Sequence, residues 1–382
     1  MIYLDNSATT SVLPEAADMA RLYMIERFYN AASAYSPALA VEHDADSARS
    51  RLAAMLGAKP EEILFTSGAT ESNNTAIHSA VTTRRGSRRI IGNIAEHPSV
   101  YEAMRQYERV PDAEVVLLGT RPDGSVSLDE LGAALTEHTA LVSLTHVNNE
   151  TGAINDIGGA YAAIRQGAPN ALFHVDGAQA FCKLPLTGLP CDMYSISGHK
   201  FHAPKGIGAL FIRNGRRFSP FLTGGGHEKD RRAGTLNVPG IMGMDAALAA
   251  YAANQAAWTE QTRACKMRLY ENMQPLPDVF VNGPSAEAGA GHILNLSFIG
   301  VRGEVLVSAL SERGVYVSTG SACSARGKGA KSRVLAALPI SAARRESAIR
   351  FSFCPFTEIN EIDAASEIII ESVMRLRRYY RR

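Results

Sequence analysis

Leu172-Phe173-His174-Val175-Asp176-Gly177-Ala178-Gln179 and Met193-Tyr194-Ser195-Ile196-Ser197-Gly198-His199-Lys200 are the two stretches whose reading decides the fold. Each opens as a short apolar run that reads as a buried strand, then turns polar at its C-terminal end. The first ends in a carboxylate, with an amide three residues on. The second ends in a hydroxyl, an imidazole and an amine. Outward from this pair, strand-like runs occupy 62–66, 89–94, 114–118, 140–146 and 208–212, so the pair, read as 171–176 and 193–197, belongs to a set of seven. Amphipathic stretches at 69–81, 99–109, 128–136 and 158–166 lie between several of them. This alternation predicts an α/β fold whose mostly parallel seven-stranded sheet is covered by helices on both faces. Right-handed crossovers then bring the strand C-terminal ends to one edge, where open α/β sheets bind ligands.

From about Met242 the pattern changes. An Ala-rich helical stretch over 244–273, expected to contain breaks, leads to strands near 279–281 and 293–298. A helix over 303–313, a strand over 315–318, a small-residue loop, a basic segment, a strand over 348–353 and a C-terminal helix follow. This reads as a smaller α+β domain against which the extended first dozen residues pack. The expected division is 14–250 for the large domain, with 1–13 and 251–382 forming the small one.

Composition narrows the function. The chain has 382 residues, 46% hydrophobic and 20% charged, with a net charge of +1. That balance gives no global attraction to nucleic acid or to an anionic membrane. No apolar run is long enough to span a bilayer, and the first residues lack the basic-then-apolar pattern of a signal peptide. A soluble, cytoplasmic protein is expected. The five cysteines form no Cys-x-x-Cys pair, so neither a zinc site nor a disulfide framework is indicated, and no metal is expected. Cys182, Cys191, Cys265 and Cys354 read as small buried hydrophobes; Cys323 does not.

Two neighbouring strand ends that offer a carboxylate, an amide, hydroxyl and imidazole donors and one amine can build a pyridoxal 5'-phosphate (PLP) site. Lys200 would carry the cofactor, and Asp176 would keep the pyridine nitrogen protonated, which makes the ring an electron sink. Ser197 and His199 are donors for the phosphate. Taken singly, such a lysine is a solvated strand end and such an aspartate a cap or turn residue; the order of the groups is what carries the reading. Ser67-Gly68-Ala69-Thr70-Glu71 joins a strand to a helix, whose N-terminus favours anions, or is an ordinary turn. His97 can stack on a cofactor ring and move protons, or be a surface-loop histidine. Asn148 can orient a carboxylate or ring oxygen, or cap a polar loop. Gly224-Gly225-Gly226-His227-Glu228 and Arg231–Thr235 can clothe a phosphate or form a mobile loop. Cys323 sits among tiny residues with Arg326 and Lys328 nearby, which favours the nucleophilic thiolate. Arg350, a cation in an apolar run, needs a partner: a substrate carboxylate or a structural aspartate.

In this order the motifs resemble those of cysteine desulfurases, fold-type I PLP enzymes related to class V aminotransferases. The likeness runs nearly end to end. It is carried by Tyr3-Leu4-Asp5-Asn6-Ser7-Ala8-Thr9-Thr10, Phe65-Thr66-Ser67-Gly68-Ala69-Thr70-Glu71-Ser72-Asn73, Glu96-His97 and His146-Val147-Asn148-Asn149-Glu150-Thr151-Gly152. It continues through His174-Val175-Asp176, Ser197-Gly198-His199-Lys200, Pro204-Lys205-Gly206-Ile207-Gly208, Gly224–Glu228, Gly234-Thr235 and Gly320-Ser321-Ala322-Cys323. The resemblance implies that Lys200 binds PLP covalently, Asp176 faces its ring nitrogen and Gln179 donates to its ring hydroxyl. The Ala69 backbone, Thr70, Ser197 and His199 would hold the phosphate, with Thr235 reaching in from a second subunit of a homodimer. His97 would stack on the ring as acid and base. Arg350, Asn148 and Asn30 would bind the carboxylate of L-cysteine, and Cys323 would take its sulfur as a persulfide, releasing L-alanine. An acceptor protein, an iron–sulfur scaffold or a thiolation enzyme, would then receive the sulfur; no direct contact with nucleic acid or membrane is implied. A selenocysteine lyase, another PLP lyase or aminotransferase, and a non-enzymatic sulfur relay are the alternatives.

Three features depart from the family pattern. Asn30-Ala31-Ala32-Ser33 stands where Asn-Pro-x-Ser is usual, with Ser36 in place of a histidine. Arg326, Lys328, Lys331 and Arg333 make the segment after Cys323 basic, which suits an acidic acceptor surface or a solvated charge run. The chain ends at Tyr379-Tyr380-Arg381-Arg382, without the longer tail through which housekeeping members dock a scaffold.

Overall fold

The structure, a computed structural model, describes residues 1–84, 86, 88–186, 188–320 and 332–380. Its strands are β1 (Ile2–Tyr3), β2 (Ile63–Thr66), β3 (Arg88–Asn93), β4 (Ala113–Leu118), β5 (Thr139–Thr145), β6 (Leu172–Asp176), β7 (Met193–Ser197), β8 (Gly208–Ile212), β9 (Val279–Val281), β10 (Ile293–Phe298), β11 (Val315–Tyr316) and β12 (Ala348–Ser352). The helices are α1 (Pro14–Ile25), α2 (Ser36–Leu56), α3 (Ala69–Thr82), α4 (Pro98–Arg105), α5 (Leu128–Ala134), α6 (Ile157–Gly167), α7 (Val238–Met273), α8 (Gly303–Glu312), α9 (Arg333–Ala337), α10 (Ala342–Glu346) and α11 (Ile359–Tyr380).

Seven strands form the main sheet in the order β2-β8-β7-β6-β5-β3-β4. Only β8 runs against the rest, antiparallel to both β2 and β7. The expected mostly parallel sheet is therefore present, with its antiparallel member second from one edge. Central strands are buried on both faces, which is why β6 and β7 read as nearly unbroken apolar runs. One face packs on α1, α2, α6 and the first half of α7 through residues such as Val41, Phe173, Tyr194 and Leu248. The other packs on α3 and α4 through Ile77, Ile90, Val100 and Leu141.

A third core gathers Leu294, Leu296, Phe298, Ile349, Phe351 and Ile369 around the three-stranded sheet β12-β10-β9. The expected breaks in the Ala-rich stretch are absent: α7 is one helix of 36 residues. Its N-terminal half contributes Ile241, Met244 and Tyr251 to the first core, and its C-terminal half contributes Cys265, Leu269 and Met273 to the third. The strong helix propensity of alanine carries it across the exposed middle, where packing does not decide. β1 pairs in parallel with β11, and Asp5 bridges to Ser352 of β12.

Candidate active site

A cavity of about 620 Å³ opens at the C-terminal ends of β5, β6 and β7. Backbone approach shapes its floor. Gly208, at the start of β8, lies so close to β7 and α3 that a Cβ there would strike the Ile196 carbonyl oxygen and stand 2.6 Å from Gly68 Cα. Gly68 itself has φ 143°, a conformation L side chains rarely adopt. These two glycines set the N-terminus of α3, with Ala69 and Thr70, beside Ser197 at the end of β7; all three residues line the cavity.

Lys200 sits in the single turn that follows β7, and Nζ donates to the carbonyls of Ser7 (2.6 Å) and Ala8 (2.9 Å). Asp176 ends β6. Its Oδ1 accepts from the Ala178 N–H (3.0 Å) and its Oδ2 from Asn73 Nδ2 (2.9 Å). Asn73 also donates to Ser99 Oγ (2.8 Å), which in turn meets His97 Nδ1 (2.8 Å). A network thus runs Asp176, Asn73, Ser99, His97. His97 caps α4 and accepts the Ser99 backbone N–H at Nδ1 (3.2 Å), so the proton of its neutral ring resides on Nε2. Gln179 donates from Nε2 to the Ser7 carbonyl (2.9 Å).

Burial controls the charges here. It lowers the pKa of His97 against the opposing pull of Asp176, and pushes His199 down to about 4 with help from Lys200 and Lys205. Both imidazoles are neutral at pH 7. Desolvation raises the carboxyl of Glu96 well above the usual range and also raises that of Glu150. Burial thus disfavours the charged form of both carboxyl groups on the cavity wall.

Arg350 is buried in β12, where Nη1 donates to the Asn149 carbonyl (2.9 Å) and Nη2 to Asp5 Oδ1 (2.6 Å). Of the two partners offered for this cation, the structural aspartate is present, and Arg350 also lines the cavity. Three expected residues are not brought together with the rest. Asn148 accepts at Oδ1 from Glu150 N, Thr151 N and Thr151 Oγ1, and donates to the Ala95 carbonyl, so its amide is consumed by its own turn. The next residue, Asn149, lines the cavity instead. Asn30 is exposed, its Oδ1 accepting from Ala32 N, and Thr235 is exposed on the approach to α7. Neither lines the cavity of its own chain. Nor does the Gly224–Glu228 segment: Glu228 turns inward to pair with Arg49 (2.6 Å) and to accept from Phe65 N (3.0 Å). Cys323 lies outside the described residues, as do Arg326, Lys328 and Lys331. The described residues on either side, Gly320 and Ser332, both border the cavity, and Ser332 Oγ donates to Glu150 Oε2 (2.6 Å).

Sequence reasoning also missed Glu96, Glu150 and Arg333 as cavity residues. Arg333 donates to the carbonyls of Ile94 (2.8 Å) and Glu96 (2.6 Å) and lies over the Tyr101 ring, 3.7 Å from its centroid. Only its place in the basic segment after Cys323 singled it out, and that composition says nothing of direction.

Three buried polar atoms on the wall, Ser7 Oγ, Glu96 Oε2 and Arg350 Nε, have no hydrogen-bond partner among the described residues. Buried polar atoms are normally satisfied, so the wall is built to meet a polar guest. An anion-favouring helix start with Ser197 and His199, a carboxylate at Asp176, an amide at Gln179 and an amine at Lys200 match the phosphate, ring nitrogen, ring hydroxyl and aldehyde of PLP. The volume falls within the roughly 300–1,000 Å³ of small-molecule sites. The family profile described as aminotransferase class-V matches residues 2–365. The chain belongs to that family. Class-V aminotransferases are PLP-dependent, in agreement with the donor set. A cysteine desulfurase of Trichormus azollae is 38% identical over 380 residues, covering 99% of this chain and 94% of that protein. The cysteine desulfurase IscS of Escherichia coli O139:H28 is 41% identical over 384 residues, covering 98% and 93%. A solved NifS-like protein superposes with a TM-score of 0.90 at 31% identity, over 97% of this chain and 98% of that one.

Proposed function

We propose that this class-V protein is a PLP-dependent cysteine desulfurase, converting L-cysteine to L-alanine while Cys323 takes the sulfur. The observation that carries the reading is one cavity in which Asp176, Lys200, His97, Arg350 and the N-terminus of α3 converge. The full-length relatives named cysteine desulfurase support the same chemistry. Domains of 14–250 and of 1–13 with 251–382 would place this cavity where the large and small units meet.

Bound PLP supplies an electron sink conjugated to the substrate's α-carbon. The chain's own residues do the rest. Lys200 would hold the cofactor, Asp176 its ring nitrogen, Gln179 its ring oxygen, and Ala69 N–H, Thr70, Ser197 and His199 its phosphate. Arg350 offers the fork that matches an α-carboxylate, with Nε making no hydrogen bond to the described residues. His97 enters the reaction neutral, as a proton donor at Nε2. The Lys200 amine would move the α-proton. In the sulfur step the thiol of Cys323 attacks the substrate sulfur and the C–S bond breaks. The electron pair stays with the β-carbon and is protonated to the methyl of alanine, leaving Cys323–S–SH; cysteine plus thiol gives alanine plus persulfide, and no outside oxidant is required. Gly320 and Ser332 at the cavity rim support delivery of Cys323 to this place.

The partner copy of a homodimer would contribute Thr235, which is exposed and outside its own cavity. An exposed apolar group at the end of α1, in the connection after it and at the start of α2 (Met24, Ile25, Phe28, Tyr35 and Leu39) supports self-association. An acidic acceptor protein and a cytoplasmic location complete the proposal; no helix among the described residues is long and apolar enough to cross a membrane. The test is alanine and sulfide release from L-cysteine with reductant, in PLP-loaded wild type and Cys323→Ala. Turnover lost in the variant with its visible spectrum intact is the expected result. Equal rates would mean elimination without a Cys323 persulfide.

A further inference from the structure

A second, smaller cavity of about 20 Å³ shares Lys200 with the first. Its walls include Lys183, Cys182, His202, His292, Cys354 and Trp258. Lys183, in the turns after β6, donates from Nζ to Gln179 Oε1 (3.0 Å). The other end of that amide, Nε2, donates to the Ser7 carbonyl (2.9 Å), which also accepts from Lys200 Nζ (2.6 Å). Two amines are thereby joined through one amide and one carbonyl. An ammonium on Oε1 forces the amide orientation: the oxygen must face Lys183, so the NH2 faces Ser7 and the cavity. The charges acting on Lys183 come from Lys200, Arg350 and the weakly acidic Cys182 and Cys354, with no aspartate or glutamate among them.

We propose that Lys183 is a positioning residue of this site, locking the Gln179 amide as a donor toward the cofactor and setting the charge balance at Lys200 from behind. The inference rests on the PLP reading of the larger cavity. Burial and the nearby Lys200 bring the Lys183 amine down to about 7, so it changes charge near neutrality. A positive charge at Lys200 disfavours a proton on Lys183, the second of the causes that lower it. The remaining titratable groups on the smaller cavity stay out of that window. His202 is lowered to about 4 and His292 well below its usual value. The thiols of Cys182 and Cys354 and the Tyr251 phenol are all raised by burial.

The test follows the visible band of the holoenzyme against pH in wild type, Lys183→Met and Lys183→Arg. The expected result is a midpoint about one pH unit or more higher in the Met variant, where a like charge is removed, and restored in the Arg variant. A band with the same midpoint in Lys183→Met would overturn the inference; a wild-type protein that acquires no band with PLP would instead overturn the cofactor reading. The unmutated protein gives a second readout if the Met variant does not fold. Trp258 is the chain's only tryptophan and lines the smaller cavity. Its emission should change between pH 6 and 8 with a midpoint near 7, whereas a flat profile would contradict a titrating Lys183.

Discussion

Arg350 and Asp5 invite a paired perturbation, because the arginine's two partners ask opposite things of it. If Arg350 serves only the fold, removing either member of the ion pair does the same harm. If it binds substrate, the two changes diverge. Arg350→Gln removes the 2.6 Å contact to Asp5 and the 2.9 Å contact to the Asn149 carbonyl, and strips the cavity of its carboxylate fork. A charge-assisted hydrogen bond contributes about 1.5–3 kcal/mol. Loss of a two-point carboxylate contact, with partial replacement by water, should then cost about 2–4 kcal/mol, or roughly 30- to 1,000-fold in kcat/KM. Asp5→Asn keeps an acceptor for Nη2 but removes the competing charge. It should lower stability by about 3 kcal/mol, as breaking a buried pair does, while KM for L-cysteine stays level or falls. Initial rates of alanine formation across substrate concentration, with thermal melts of both variants, separate these outcomes. A loss of kcat/KM in Asp5→Asn matching that in Arg350→Gln would refute a substrate-binding role.

Two further outcomes test the site's framework. Gly208→Ala should destabilise the protein by about 3 kcal/mol and lower retention of PLP on gel filtration, since the added Cβ meets backbone that cannot yield; wild-type retention and melting would show that the β8–α3 approach is not constraining. Stability should also fall as pH drops from about 6.5 toward 4. Burial lowers the pKa of His78, His97, His146, His174, His199, His202 and His292, so their contribution is complete above the unfolded value of about 6.5 and is lost as the native state is forced to take protons. Glu96 and Glu150, raised by burial, act in the opposite direction, but two groups oppose seven. Urea midpoints between pH 7.5 and 4.5 check this, and a midpoint that rises on acidification would contradict it.

The sheet was legible because β6 and β7 are apolar on both faces and end abruptly in Asp176 and in Ser197-Gly198-His199-Lys200. That abruptness marks the C-terminal edge, so the residues proposed to hold the cofactor could be read together, and they line one cavity. What could not be read was direction within a turn. Asn148 and Asn149 are identical side chains one residue apart; only the fold shows that the first is spent on Glu150 N and Thr151 N while the second lines the cavity. Asn30 and Thr235 lie away from the cavity of their own chain, and a chain alone does not reveal which surfaces meet a second copy. The unbroken α7 was missed because its alanines promote helix without signalling a buried face. The Lys183–Gln179–Ser7–Lys200 connection was hidden because Ser7 takes part through its backbone carbonyl, which leaves no mark in sequence.

Sulfur transfer to Cys323 is seen most directly in a single turnover of the PLP-loaded protein with L-cysteine and no reductant, read by amino-acid analysis and peptide mass spectrometry. One alanine per site and one added sulfur atom on the peptide carrying Cys323 are expected. Alanine absent, or formed with Cys323 unmodified and sulfide free in solution, would contradict that transfer.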